Sequence, residues 1–422
     1  MNGSLKFAAP LVAALAIAAC SSGGTSNVPV ASGAAQGMSV SFKHVPEWAA
    51  KHQARSVCPQ VYGKPSCLAL QVEKNGIVPL CSPSSGCGFT AQQLEEAYGL
   101  KAKQLAKGNG TKVAVIEAGD LANATSDLAA YRSQYNLGTA NLLKYNEHGQ
   151  QSNYPPSCEN YGWCLETDLD IDMISASCPK CTIYLMEAGG QISDFETAEA
   201  EAVTLGATIL SNSWICYGSG DCQDSNFPNY FNTPGITYLA SSGDASYDNI
   251  GAPSVLDSVI AVGGTQLAVS GSKFSETVWD GAGAGCANAS NVGGSGISKP
   301  SWQHDPSCSN RTDADISAEA GCSPGVAVYV GLYGGWTGVC GTSVASPLLA
   351  GIVALAGNEA SLNAGQYVWS FTSKQRTARL HAIKSGSDGS CGGSYLCTAG
   401  TKQYKTYSGP GGWGTPKTIK AL

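Results

Sequence analysis

The chain reads as an α/β protein, a doubly wound parallel sheet with helices on both faces in a single large domain. Two observations predict this. From about Thr90 onward, apolar runs of strand length alternate with helical segments rich in alanine and leucine. The strand-like runs are also nearly continuous in their hydrophobicity, as in Val113-Ala114-Val115-Ile116, which suits strands buried on both faces.

In order along the chain, Thr90 to Leu100 begins as a capped helix, Val113 to Ala118 is a strand and Ser126 to Tyr135 a helix. Leu165 to Ser177 is helical, Thr182 to Ala188 a strand, and Asp194 to Leu205 an alanine-rich helix. Strands follow at Ala207 to Trp214, Ile236 to Ala240 and Ser258 to Val262. Near the end, the apolar run Gly325 to Val330 precedes Gly341-Thr342-Ser343 and the helical Leu348 to Ala356. In open parallel sheets, sites gather at the carboxyl ends of strands. Glu117, Asn212-Ser213-Trp214 and Ser241-Ser242-Gly243-Asp244 fall there.

The N-terminus carries one lysine by Lys6 and then an apolar run from Phe7 to Ala19 broken by Pro10. That is shorter than the roughly 20 apolar residues of a membrane span and has the form of an export signal. Ile17-Ala18-Ala19-Cys20 resembles a bacterial lipobox, so Cys20 is the expected lipidation site and the only membrane contact; the competing reading is an ordinary signal peptide with a chance cysteine and a secreted protein. Ser21 after it points to the outer membrane, where the host has one. The expected organisation is a lipoprotein-type signal at 1–19, a Ser/Gly-rich tether at 20–37, a short cysteine-containing region at 38–87 and the main domain at 88–422.

Net charge is -7 with no basic run, which argues against nucleic acid as a partner. Charged residues make up only 13% of the chain, a composition that suits an exported surface. Of the 17 cysteines, setting Cys20 aside leaves an even number. Cys81/Cys87, Cys158/Cys164, Cys216/Cys222 and Cys391/Cys397 are spaced to close local loops, and Cys322/Cys340 is the expected longer bridge. Cys178-Pro179-Lys180-Cys181 stands alone as a C-x-x-C, whereas a zinc site would want a second pair.

Two stretches carry chemistry. Ser343 falls at the mouth of a helix, where free N–H groups and the positive end of the dipole favour an oxyanion; the competing reading is that Thr342 or Ser343 only caps the helix. Glu166, Asp168, Asp170 and Asp172 crowd into seven residues of a helix, with Glu166/Asp170 and Asp168/Asp172 sharing faces. The competing reading there is a solvated acidic face. None of the five histidines sits in the H-G-[ST] setting of a subtilisin base.

With Glu-x-x-x-Asp on a helix, Ser-Gly-Asp after a strand and Gly-Thr-Ser-x-x-x-Pro in that order, the chain resembles the sedolisin family, serine-carboxyl peptidases with a subtilisin-like fold. Asn212-Ser213-Trp214 and Ala261-Val262-Gly263-Gly264-Thr265 also match, and the likeness spans roughly Thr90 to Pro416. The resemblance implies an endopeptidase acting on polypeptides at acid pH. Ser343 would be the nucleophile, Glu166 its base, Asp170 the partner of Glu166, and Asp244 the oxyanion donor. Glu117 and Trp214 are candidates to support them, the competing reading of Glu117 being a plain acid at a strand end. The resemblance also implies a long propeptide of about a domain's size, whereas only about 50 to 70 residues separate Cys20 from the first matching helix, so the family's autocatalytic activation is not among the expectations.

The family's calcium loop also differs, with Ala382 and Ser408 standing where aspartates are expected. No metal or other cofactor is therefore expected, although Asp388 is a remaining carboxylate in that loop. A Cys391–Cys397 bridge would restrain the loop instead. The rival to a peptidase is a catalytically silent surface lipoprotein that uses the same fold to bind a polypeptide. A transpeptidase or esterase using the same serine is a third reading.

Overall fold

Seven strands lie side by side in the order Lys273–Val278, Val259–Ser270, Thr237–Ser241, Ile209–Asn212, Lys112–Ala118, Thr182–Ala188 and Asn141–Asn146. All neighbours are parallel except the hairpin of Val259–Ser270 with Lys273–Val278. An eighth strand, Ile316–Glu319, adds in parallel beside Val262 to Thr265. This is the doubly wound, subtilisin-like α/β architecture expected from the alternation of apolar runs. The structure is a computed structural model and describes residues 54–74, 78, 81–82, 86–217, 222 and 225–422. The expected signal, the tether and Cys20 lie outside the described residues.

Two helices set the site. Cys164–Ser177 buries all of its side chains, charged ones included. Thr342–Ala356 is buried from Thr342 to Leu355 and packs against Cys164–Ser177 and the central strands. The approach is close at Gly351, where a Cβ would collide with the Ser177 hydroxyl. Between these helices no side chain reaches water, so the acids on one face the serine of the other in a dry interior.

Thr90 caps Ala91–Ala97 with a complete capping box, as its sequence predicts. Three elements differ from expectation. The run expected from Ala207 to Trp214 is interrupted at Ser213, which separates Ile209–Asn212 from Trp214–Ile215 and leaves the serine free to serve the site. The strand beginning near Ser258 continues to Ser270. Its length is hidden by Gly263 and Gly264, which admit the Pro410 carbonyl and the Trp279 ring where a Cβ would collide. The strand that leads into Ser343 is Gly335–Cys340, the glycine-rich partner of Val326–Val330 rather than that apolar run itself.

These last two strands form a separate antiparallel sheet with Leu70–Val72 and Ala54–Ser56. The cysteine-containing N-terminal region thus shares a sheet with the segment that carries the serine.

The bridges Cys81–Cys87, Cys158–Cys164, Cys216–Cys222, Cys391–Cys397 and Cys322–Cys340 are formed as expected, and Cys178–Cys181 is a disulfide. Cys58–Cys67 and Cys286–Cys308, whose pairing spacing alone left open, complete the set. Peptide mapping of the unreduced protein should recover these bridges and leave Cys20 as the one cysteine outside them. Free thiols at most of these positions would contradict an oxidised fold.

Candidate active site

The turn from Gly335–Cys340 into Thr342–Ala356 is made at Gly341, with φ at 118°. A side chain there would strain the backbone and collide with the Leu68 carbonyl oxygen and the Asp244 carboxyl. Gly341 is itself the N-cap residue, so neither Thr342 nor Ser343 plays the capping role. Thr342 instead fixes Asp244: its N–H and its hydroxyl donate to Asp244 Oδ1 at 2.8 and 2.7 Å. Asp244 Oδ2 is left buried with no protein partner.

Ser343 is fully buried in the first helical turn, and its Oγ lies 3.4 Å from the Ser213 carbonyl oxygen. Pro347, four residues on, has no N–H to donate to the Ser343 carbonyl. The Ser213 hydroxyl stands 3.5 Å from that carbonyl and 2.8 Å from Asp170 Oδ1, its nearer partner.

The carboxylate helix is not a solvated acidic face, since Glu166, Asp168, Asp170 and Asp172 are at most 1% exposed. The i, i+4 spacing sorts them into two pairs. On one side Glu166 meets Ser343 and Asp170, and Asp170 meets Glu117 at the end of Lys112–Ala118. On the other, Asp172 accepts from the Tyr329 N–H at 3.2 Å, and Asp168 has no hydrogen-bond partner.

Glu166 also accepts two N–H bonds that sequence reasoning missed, from Leu68 at 2.8 Å and Ala69 at 2.6 Å. The signal available was Cys58 and Cys67 bracketing the short apolar stretch, a pattern too local to place against Glu166. The Trp214 indole donates to Asn212 Oδ1 at 2.8 Å while its ring stacks edge-on against Phe195. It braces the strand end on which Ser213 sits.

Burial dominates the electrostatics, because a carboxylate without water is costly to charge. It raises Glu166 well above the usual range, with Asp170 adding to the effect; the Ser343 hydroxyl and the Ala69 and Leu68 N–H groups pull the other way. Burial takes Asp170 to about 8 against the Ser213 and Glu117 hydrogen bonds, and Asp244 to about 7 against its two Thr342 bonds. Glu117 is raised well above its usual range by burial and by its neighbours Asp170 and Glu166. A proton shared along Glu166, Asp170 and Glu117, beside a hydroxyl and opposite a protonatable Asp244, is equipped for nucleophilic chemistry with acid support. His148, His304 and His381 are exposed, away from this buried cluster.

The subtilase family profile, Peptidase_S8, matches residues 148–389, more than half of the chain and including all four acids of the helix, Asp244 and Ser343.

The chain belongs to the subtilase family.

Within this family it is 27% identical over 338 residues to sedolisin from Pseudomonas sp. (strain 101), covering 72% of this chain and 56% of that protein. It is 29% identical over 255 residues to xanthomonalisin from Xanthomonas sp. (strain T-22), covering 56% of this chain and 30% of that protein. The chain spans about half the length, or less, of these curated relatives. The structure of Pseudomonas sedolisin, a serine-carboxyl proteinase complexed with two molecules of pseudo-iodotyrostatin, superposes with a TM-score of 0.63 at 25% identity. The match covers 79% of this chain and 97% of that one.

The segments expected to form a calcium loop do meet in this subtilase: Gly414 abuts the backbone of His381 and Ala382, and Gly411 abuts Ile383. They offer backbone carbonyls and the Ser408 hydroxyl, which already accepts from the Gly411 N–H at 3.2 Å, and no carboxylate. Asp388 lies against Tyr247, where burial and the charge of Asp280 raise its pKa. The donor set therefore does not fit a calcium ion, which gains affinity from carboxylate charge.

The buried acids set the pH dependence of stability. Burial makes these acids easier to protonate in the fold than in the unfolded chain, so between about pH 4 and their folded values the folded state binds more protons. Their contribution is complete below that value and is lost as pH rises through the folded values, about 8 for Asp170 and about 7 for Asp244. Calorimetry should find the highest Tm in acid and a steady fall towards neutrality. Asp168→Asn, which mimics the protonated form at a site without partners, should recover about 1 to 3 kcal/mol at neutral pH. A Tm that rises from acid to neutral pH would contradict the assignment.

Proposed function

We propose that this chain is a serine-type endopeptidase that cleaves polypeptides in acid, exported and anchored by a lipid on Cys20. The observation that carries the reading is the buried series Ser343, Glu166, Asp170 and Glu117, with the unpartnered oxygen of Asp244 on the other side of the serine turn. Glu166 takes the Ser343 proton as the hydroxyl attacks a peptide carbonyl. Asp170, held by Ser213, shares the proton that Glu166 gains. The oxyanion then meets the Ser343 N–H, a first-turn donor, and the neutral Asp244 carboxyl, each such donor being worth about 3 kcal/mol of barrier. Glu166 returns its proton to the leaving amine, and water, activated in the same way, releases the acyl group.

Export is supported by the disulfides and by the signal-like N-terminus. The carboxylate base, in a family where histidine is the usual partner, is supported by the exposure of the described histidines. The chain is also read as working without a metal.

Ser343→Ala and Glu166→Gln should each abolish peptide hydrolysis in a folded protein, while Asp168→Asn should be much milder than Asp170→Asn. Activity should peak at about pH 3 to 5 and fall towards neutrality as Asp244 loses its proton. A chelator should leave activity and Tm unchanged. An acyl probe applied in acid should label Ser343. Failure to label, together with absence of turnover, would leave the silent polypeptide-binding reading in its place.

A further inference from the structure

The chain's cations are unevenly placed. Residues 360–422 hold eight of its 24 lysines and arginines but one of its 31 aspartates and glutamates, the buried Asp388, in a chain of net charge -7. Residues 97–116 hold four more lysines and no acid. Neither stretch contains a basic run, and it is the fold that brings them together. Lys417 lies along the helix Ser373–Arg379: its N–H donates to the Arg379 carbonyl at 2.9 Å and its ammonium to the Thr377 carbonyl at 2.5 Å. Gly99, just before Lys101 and Lys103, runs so close to Lys417 that a Cβ would collide with its carbonyl oxygen. The guanidinium groups nearby have neutral partners. Arg376 lies 3.8 Å over the Trp413 ring, and Arg379 lies over Phe371 and donates to the Tyr367 hydroxyl at 3.1 Å. Glu276, the carboxyl beside Thr415, is taken up by the hydroxyls of Thr415, Thr265 and Tyr98. Among the described residues, no cation of either stretch forms an ion pair, whereas Lys144, Lys299 and Arg311 all do. Burial and the charge of Lys417 hold His381, just past the same helix, below its usual pKa.

We propose that Lys103, Lys374, Arg376, Arg379, Lys417 and Lys420 form a docking face for an anionic, phosphate-bearing lipid surface, separate from the lipid expected on Cys20. Unpaired cations gathered on one side of an otherwise acidic protein attract a surface of negative charge and leave the rest of the molecule repelled by it. An array of headgroups fits better than a single ligand, because these cations stand on a helix, a turn and an adjoining stretch rather than around a cavity. The disulfides and the signal-like N-terminus favour lipid over nucleic acid as the source of that charge. The face also has an orientation. Gly108, five residues after Lys103, abuts the Cys178–Cys181 bridge and Leu355. These lie at the far ends of the two helices whose first turns carry Glu166 and Ser343, about 18 Å away at the rise of an α-helix. A chain seated on this face turns the Ser343 cluster away from the lipid and towards solution. The docking does not depend on the peptidase chemistry.

The test sediments the full chain carrying Cys20→Ser, which cannot take a lipid, with vesicles of phosphatidylcholine alone or with about one third phosphatidylglycerol. The expected result is a clear excess of binding to the anionic vesicles at low ionic strength, released by about 0.5 M salt as the charges are screened. Lys374→Gln combined with Lys420→Gln, both exposed, should weaken that binding about 25-fold, at about fivefold for each charge near such a surface, with Tm unchanged. The matched pair Lys64→Gln with Lys74→Gln, exposed cations outside the face, should bind as the parent does. No excess on the anionic vesicles would overturn the proposal, and so would equal losses in the two pairs. Two further arms separate the sources of negative charge. Sodium phosphate should release the protein no better than sodium chloride of equal ionic strength; saturable competition by phosphate alone would replace the lipid surface with a single phosphate site. Duplex DNA that held the protein more tightly than the vesicles at equal salt would make nucleic acid the partner and overturn the lipid assignment.

Discussion

The constraint on which the rest of this structure depends is the cost of charging a carboxyl group that has no water. Glu117, Glu166, Asp170 and Asp244 lie within one dry region, and each is more easily protonated than ionised there. A histidine base would be poorly suited to such a cluster, because an imidazolium would simply ionise one neighbour and lock as an ion pair. A carboxyl series can hold a mobile proton with no fixed charge. The two helices that meet here pack closely, with Gly351 against the Ser177 hydroxyl, and bury their side chains from Cys164 to Ser177 and from Thr342 to Leu355.

The surrounding architecture can be understood as support for that dry contact. Parallel strands bring Glu117, Asn212 and Asp244 to one end of the sheet, and the break at Ser213 releases a hydroxyl that bonds Asp170. Trp214 anchors the break through Asn212. Pro347 leaves the Ser343 carbonyl without a helical donor, so the serine's own turn is tied to Ser213 as well. Each of these is a backbone irregularity at the end of a regular element, which is how a rigid sheet can aim side chains that it cannot itself reach.

Much of this was legible in the amino-acid sequence because it is local. The runs Val113–Ala118 and Thr182–Ala188 are recognisable as buried strands from their own composition, and the i, i+4 spacing of Glu166 and Asp170 already places them on one face of a helix. Ser343 at a glycine-preceded helix start is equally local. What escaped was long-range. The N–H groups of Leu68 and Ala69 meet Glu166 across nearly a hundred residues of chain, and no periodicity in Ser66 to Val72 announces that contact. Burial of Asp168 and Asp172 escaped for the same reason, since four acids in a row look solvated until both partner surfaces are known. Gly335 to Cys340 was overlooked as a strand because its glycines lower its own β preference, and only pairing on both sides makes it one.

The disulfides have a consequence for how the molecule comes into being. Their sequence separations run from 3 to 22 residues, and five of them are 6 or fewer. Each pair of thiols is therefore close as soon as its own short stretch of chain has emerged, long before the strands of the sheet have found one another. Correct pairing needs no memory of the finished fold, and an incorrect partner is nearly always farther along the chain than the right one. A protein with this many cysteines would ordinarily call for an isomerase to sort its bridges. Here the order of synthesis can do the sorting, so that oxidation precedes assembly and the sheet closes around loops already made.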